Sequence, residues 1–171
     1  ALNNGQSQWI TSPKARQDVQ RYRALSGGIL STSKTVIDDN ASLNVRWDDL
    51  PCSVQTQYSQ DEVRQPPRVI LDRQSQLNDD LKLFNTDGER IIVSQGGDMA
   101  PELDENGQID LATTLKAVAS EYHINHLWVE AGATLASSLI KANLVDELIV
   151  YLAPKLMGSD GPVSYTHLRA H

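Results

Sequence analysis

The stretch Trp128-Val129-Glu130-Ala131-Gly132-Ala133-Thr134-Leu135 runs an apolar strand into a turn of small residues at a helix start. Backbone N–H groups exposed there, with the positive end of the helix dipole, suit a phosphate or pyrophosphate, and small residues let such a ligand approach closely. The same residues also fit an ordinary strand-to-helix turn, and the three-glycine dinucleotide fingerprint is missing. Glu130 falls at the C-terminal end of its strand, where ligands meet open α/β sheets, so its carboxylate is a candidate for a site. A second concentration runs from Thr35 to Arg46 and combines the adjacent acids Asp38 and Asp39, several hydrogen-bonding side chains and an arginine. Arg46 can hold a phosphate or carboxylate through two parallel bonds. Asp38-Asp39 equally fit the start of a solvated loop. Arg23, near the end of the first predicted helix, is either a ligand or a partner for the negative end of that helix.

Other chemistries find no support. His123 and His126 are close in sequence but have no cysteine or carboxylate cluster beside them, so they make a poor metal site and suit packing or surface roles. No Gly-x-Ser-x-Gly elbow and no P-loop occur. The His-x-Glu with Pro-Cys-x-x-Cys pattern of zinc deaminases is also missing.

The elements that must position these residues follow from spacing. Ser12-Pro13, then Ala15, Val19 and Tyr22, predict an N-capped helix to about Leu25, ended by Gly27-Gly28. Gly28 to Thr32 is predicted as a short buried strand and Ser33 to Ile37 as a turn or short helix. Asp39 to Gln65 is polar, has no clear period and contains Pro51, so a long loop is expected. Strands are predicted at Arg68 to Asp72, Arg90 to Ser94 and His126 to Glu130. Asp110 caps a helix with Leu111, Leu115, Val118, Ala119 and Tyr122 on one face. Leu135 to Asn143 reads as a further helix, and Asp146 to Ala153 as a closing apolar strand. Strands alternating with helices imply an α/β fold with a mostly parallel central sheet flanked by helices.

Composition bounds the partners. With 171 residues, 40% of them hydrophobic, the chain is long enough for one domain with a sizeable core. A formal charge of -7 speaks against nucleic acid, while a few local arginines still serve a small anion. The single cysteine, Cys52, excludes an internal disulfide and fits a reducing compartment. No apolar run of about eighteen residues is present to span a membrane and no signal-peptide pattern is visible, so the cytoplasm is the expected location.

Five phrases in order, Ser7-Gln8-Trp9-Ile10-Thr11-Ser12, Thr35 to Arg46, Arg68 to Asp72, Trp128 to Gly132 and Asp146-Glu147-Leu148, resemble the reductase domain of the bifunctional riboflavin-biosynthesis deaminase/reductase family. The resemblance runs from about Leu2 to Asp160. It implies a dihydrofolate-reductase-like fold, NADPH as hydride donor, and 5-amino-6-(5-phosphoribosylamino)uracil as substrate, its ribosyl group reduced to a ribityl chain. Position by position, it implies that Trp9, Thr35 and Asp39 line the NADPH side. The turn of Gly132, Ala133, Thr134, Leu135, Ala136, Ser137 and Ser138 would hold cofactor phosphate. Ser7, Arg23, Leu43, Arg46 and Glu130 match substrate-contacting positions, the arginines gripping its phosphate, and Asp39 or a bound water would assist proton transfer. No metal ligand is implied within this domain. The expected organisation is an incomplete reductase domain over residues 1–161, lacking family strands at both ends, and a non-native tail over residues 162–171. The resemblance also implies a zinc deaminase domain fused in the complete protein and a homodimer. Two alternatives stand beside it: another pteridine or pyrimidine reductase of the same fold, and a non-catalytic nucleotide-binding module.

Overall fold

A computed structural model describes residues 12–152. The order of elements is α1 (Pro13–Leu25), β1 (Gly28–Thr32), α2 (Ser33–Asp39), α3 (Cys52–Gln55), β2 (Arg68–Leu71), β3 (Arg90–Val93), α4 (Leu111–Tyr122), β4 (Leu127–Val129) and α5 (Ala133–Lys141). The four strands form one parallel sheet in the order β3-β2-β1-β4. This is the expected α/β arrangement.

Helix boundaries follow capping chemistry. The Ser12 hydroxyl accepts from Ala15 N–H at 3.2 Å, and Pro13 occupies the first turn, where its missing N–H costs nothing. The Asp110 carboxylate accepts from Thr113 N–H at 2.9 Å and starts α4. Thr32 does the same for α2, accepting from Thr35 N–H at 3.2 Å.

Both faces of the sheet are covered, as near-continuous apolar strands require. Leu30, Val69, Leu71, Ile91 and Val93 pack with Val118 of α4 and Leu135 and Leu139 of α5. On the other face, Ile29 and Ile70 pack with Val36 of α2, Leu43, Leu81 and Leu83, with Trp128 against them. Alternate residues of one strand thereby serve two cores.

Arg68 is the exception, a fully buried arginine at the start of β2. Its guanidinium donates to the carbonyls of Ser42, Thr86, Asp87 and Gly88 and to Thr86 Oγ1, at 2.7 to 3.4 Å. Its Nε has no partner. Burial, with the neighbouring Arg90, lowers its pKa to about 10. Arg68 thus ties the segment after α2 to the turn before β3 through backbone acceptors.

The structure corrects three expectations. Asp39 to Gln65 is not one loop: Asp39 ends α2, and 3-10 turns at Trp47–Asp49 and Gln60–Glu62 flank α3. Short local bonds, such as Ser59 N–H to Glu62 Oε2 at 2.6 Å, replace the hydrophobic period that a longer element would show. Asp146 to Leu152 forms no strand, and Ala153 lies outside the described residues. Leu148, Val150 and Leu152 are 56%, 57% and 88% exposed, because no neighbouring strand offers this segment a ladder among the described residues. The helix expected from Leu135 begins earlier, at Ala133, so part of the small-residue turn is its first turn.

Candidate functional site

In a parallel sheet all strands release their chain at the same edge. The register pairs Leu30 with Val129, so β4 ends two residues short of the end of β1, and α2 and α5 both begin beyond this same edge of the sheet. This is the position where open α/β sheets take ligands.

Glu130 occupies it. Its N–H donates to Leu30 O at 2.9 Å, continuing the ladder one residue beyond β4, and its carbonyl accepts from Ser31 Oγ at 2.6 Å. With its backbone fixed on β1, the carboxylate meets Arg23 from the last turn of α1. Arg23 Nε donates to Oε1 at 2.6 Å and Nη2 to Oε2 at 2.7 Å, a two-bond fork. Nη1 donates to Asn44 O at 2.8 Å. The two side chains are 11% and 24% exposed, enough for the pair to meet a ligand while sheltered from screening. Arg23 is therefore both a substrate candidate and the link between α1, β4 and the segment 41–46.

That segment is held from several sides. Gln65 bonds Val45 twice, accepting its N–H at 2.8 Å and donating to its carbonyl at 2.9 Å, as a strand partner would. Gln20, buried in α1, accepts Arg46 N–H at 2.9 Å. Leu43 adopts φ 53°, a left-handed conformation unfavourable for leucine and worth about 1 to 3 kcal/mol. Its side chain is buried in the core with Val36 and Leu83, and Arg68 grips the preceding carbonyl. Only the backbone of Leu43 remains to meet a ligand. Arg46 is half exposed, and its Nε pairs with Asp49 Oδ2 at 2.7 Å. Its guanidinium is thus at the surface, apart from the Arg23 fork, and available once Asp49 releases it.

Among the positions expected to line a cofactor, Thr35 Oγ1 accepts from Thr32 Oγ1 at 3.1 Å at the start of α2. Asp39 is exposed in the last turn of α2, where the helix dipole disfavours a carboxylate. Asp38 is offset by Lys34 at 2.7 Å, whereas Asp39 has no partner among the described residues. Gly132 caps α5 without a side-chain bond, leaving the first-turn N–H groups of Ala133, Thr134 and Leu135 free of any cap. A Cβ at Gly132 would meet nothing within 4 Å. Leu135 turns its side chain into the core and contributes only backbone. Ser138 Oγ donates to Thr134 O at 3.0 Å. Ala136 and Ser137 are half-buried in the same helix. Ser7 and Trp9 lie outside the described residues, as do residues 162–171.

Sequence reasoning placed Trp128 and Tyr22 in a strand and a helix but gave them no part in the site. Trp128 Nε1 donates to Glu130 Oε1 at 2.8 Å, and its ring stacks on Tyr22 with centroids 4.7 Å apart and planes 4° from parallel. The signal was present, since residues two apart on a strand share a face. The histidines have backbone roles: His123 takes a left-handed conformation after α4, and the His126 carbonyl accepts from Gly27 and Gly28. No helix among the described residues is long and apolar enough to cross a membrane.

Comparison with known proteins adds the family. Residues 1–169 match the family model described as RibD C-terminal domain. The chain is 48% identical over 166 residues to riboflavin biosynthesis protein RibD of Haemophilus influenzae, covering 94% of this chain and 45% of that protein. It is 37% identical over 168 residues to a Buchnera aphidicola protein named 5-amino-6-(5-phosphoribosylamino)uracil reductase, covering 93% of this chain and 81% of the relative. Acinetobacter baumannii RibD superposes with a TM-score of 0.77 at 33% identity, over 100% of this chain and 47% of that one. The chain thus spans about half the length of the RibD proteins it matches. The fold is dihydrofolate-reductase-like.

Proposed function

Because the chain belongs to the RibD C-terminal domain family, we propose that it carries the NADPH-dependent reduction of the ribosyl group of 5-amino-6-(5-phosphoribosylamino)uracil to the ribityl product in riboflavin biosynthesis. The observation that carries this reading is the Arg23–Glu130 fork, with Glu130 three residues before Ala133, the uncapped start of α5. A polar substrate determinant and a phosphate-binding turn then share one short segment. In the complete protein, on this reading, a zinc deaminase domain accompanies the reductase and two copies associate.

The first turn of α5 supplies uncapped N–H groups next to an open glycine, a donor set suited to cofactor phosphate. NADPH, when bound there, supplies the hydride. Reduction places a hydride on C1 of the ring-opened ribosyl group, in its imine form, and a proton on the imine nitrogen. Glu130 and Arg23 orient the sugar, Arg46 holds its phosphate, and Thr35 lines the cofactor side. Asp39, directly or through water, is the acid we assign to the proton. The chain's remaining task is positioning and exclusion of water.

The test is turnover in the complete protein, comparing the phosphorylated substrate with its dephosphorylated counterpart. Lysine keeps the charge of Arg46 but loses the fork. Arg46→Lys should raise KM for the phosphorylated substrate by about tenfold or more, the cost of a lost charge-assisted bond. KM for the dephosphorylated compound and NADPH affinity should stay unchanged. An equal penalty on both substrates would make Arg46 structural and remove the phosphate assignment.

A further inference from the structure

Glu130 Oε1 receives two donors, Arg23 Nε at 2.6 Å and Trp128 Nε1 at 2.8 Å, whereas Oε2 receives only Arg23 Nη2 at 2.7 Å. A carboxylate oxygen accepts about two hydrogen bonds. Oε1 is therefore filled and Oε2 has capacity left. The indole that fills Oε1 is itself fixed. Trp128 is paired with Ile29 in the ladder, packs against the core of that face, and stacks flat on Tyr22 of α1, the helix that also carries Arg23. One helix thus sets both donors, one directly and one through a ring stack.

We infer that Trp128, braced by Tyr22, is a positioning residue that orients the Glu130 carboxylate so that Oε2 accepts a hydrogen bond from a hydroxyl or amino group of the substrate. This rests on the reading of Glu130 as a substrate contact. It also divides the polar work: Glu130 neutralises Arg23 and takes a donor group, leaving the phosphate to another cation. Without the indole bond, the carboxylate keeps its fork to Arg23 but the pair can tilt together, and the position of Oε2 is less closely fixed.

The experiment uses the complete protein and three variants. Trp128→Phe keeps a ring on Tyr22 and removes the N–H. Its KM for the phosphorylated aminouracil should rise by about three- to tenfold, while kcat, NADPH affinity and melting temperature hold. In a Glu130→Gln background, the same substitution should change KM by less than about twofold, because the charged acceptor it serves is gone. Tyr22→Leu keeps the indole N–H but removes its brace, and should raise KM in the same direction. The indole N–H resonance of Trp128, assigned by its loss in Trp128→Phe, should move in Glu130→Gln and again on substrate binding. If Glu130→Gln raises KM and Trp128→Phe does not, the inference fails and the reading of the site survives. If neither changes KM, the reading of Glu130 falls and the inference with it. A drop in NADPH affinity or melting temperature parallel to the change in KM would make Trp128 a general packing residue and overturn the proposal.

Discussion

Gly132 has ordinary backbone angles, φ -69° and ψ 173°, and a Cβ there would meet no neighbouring atom within 4 Å. The described fold therefore does not require glycine for space at the Cβ, whereas on the proposed reading a phosphate approaching the α5 start does. Gly132→Leu in the complete protein should retain its melting temperature and weaken NADPH binding by more than about tenfold, or about 1.4 kcal/mol. An unchanged dissociation constant would remove this turn from the cofactor site. At this scale the sequence was legible where one residue type has few uses. Glu130 at a strand end, Arg23 at a helix end and the run of small residues were all visible. Their partnership was not, because Arg23 and Glu130 are 107 positions apart and only the sheet brings them together. Arg46 was read from its chemistry, yet its surface pairing with Asp49 depends on a short 3-10 turn with no sequence period.

Elements were legible where caps and periods agree. Ser12 and Asp110 cap α1 and α4, and β1 and β2 are mainly apolar runs buried on both faces, with β3 fully buried on one. The run Leu148 to Leu152 has the same composition and forms no strand, since a strand is completed by its neighbour and not by its own propensity. What ties it down is Tyr151, whose hydroxyl donates to Asp18 Oδ2 of α1 at 2.7 Å. That bond, with Arg21, lowers the Asp18 pKa, and burial with the same bond raises that of Tyr151. A carboxylate with a depressed folded pKa contributes stability above its unfolded pKa and loses it as pH falls through the folded value. Tyr151→Phe should therefore lower the melting temperature at neutral pH, and the gap from wild type should narrow as the solution is acidified below about pH 4. A gap independent of pH would show that Tyr151 acts by packing instead.

For the whole molecule, alternation of strands and helices led to a parallel α/β sheet, and the structure has one with both faces covered. The same topology sets two helix starts and Glu130 at one edge, so fold and site arise from one fact, the common direction of the strands. The central claim is that this edge brings a nicotinamide hydride to C1 of the substrate's ribosyl group. The most direct measurement is transfer of deuterium from NADPH labelled at the transferable position of its ring, followed in the product by NMR. The complete protein should place one deuterium at C1 of the ribityl chain with none from solvent, and omitting the substrate's phosphate should slow the transfer. Product formed without deuterium at that carbon, or deuterium placed there from labelled water instead, would contradict the account.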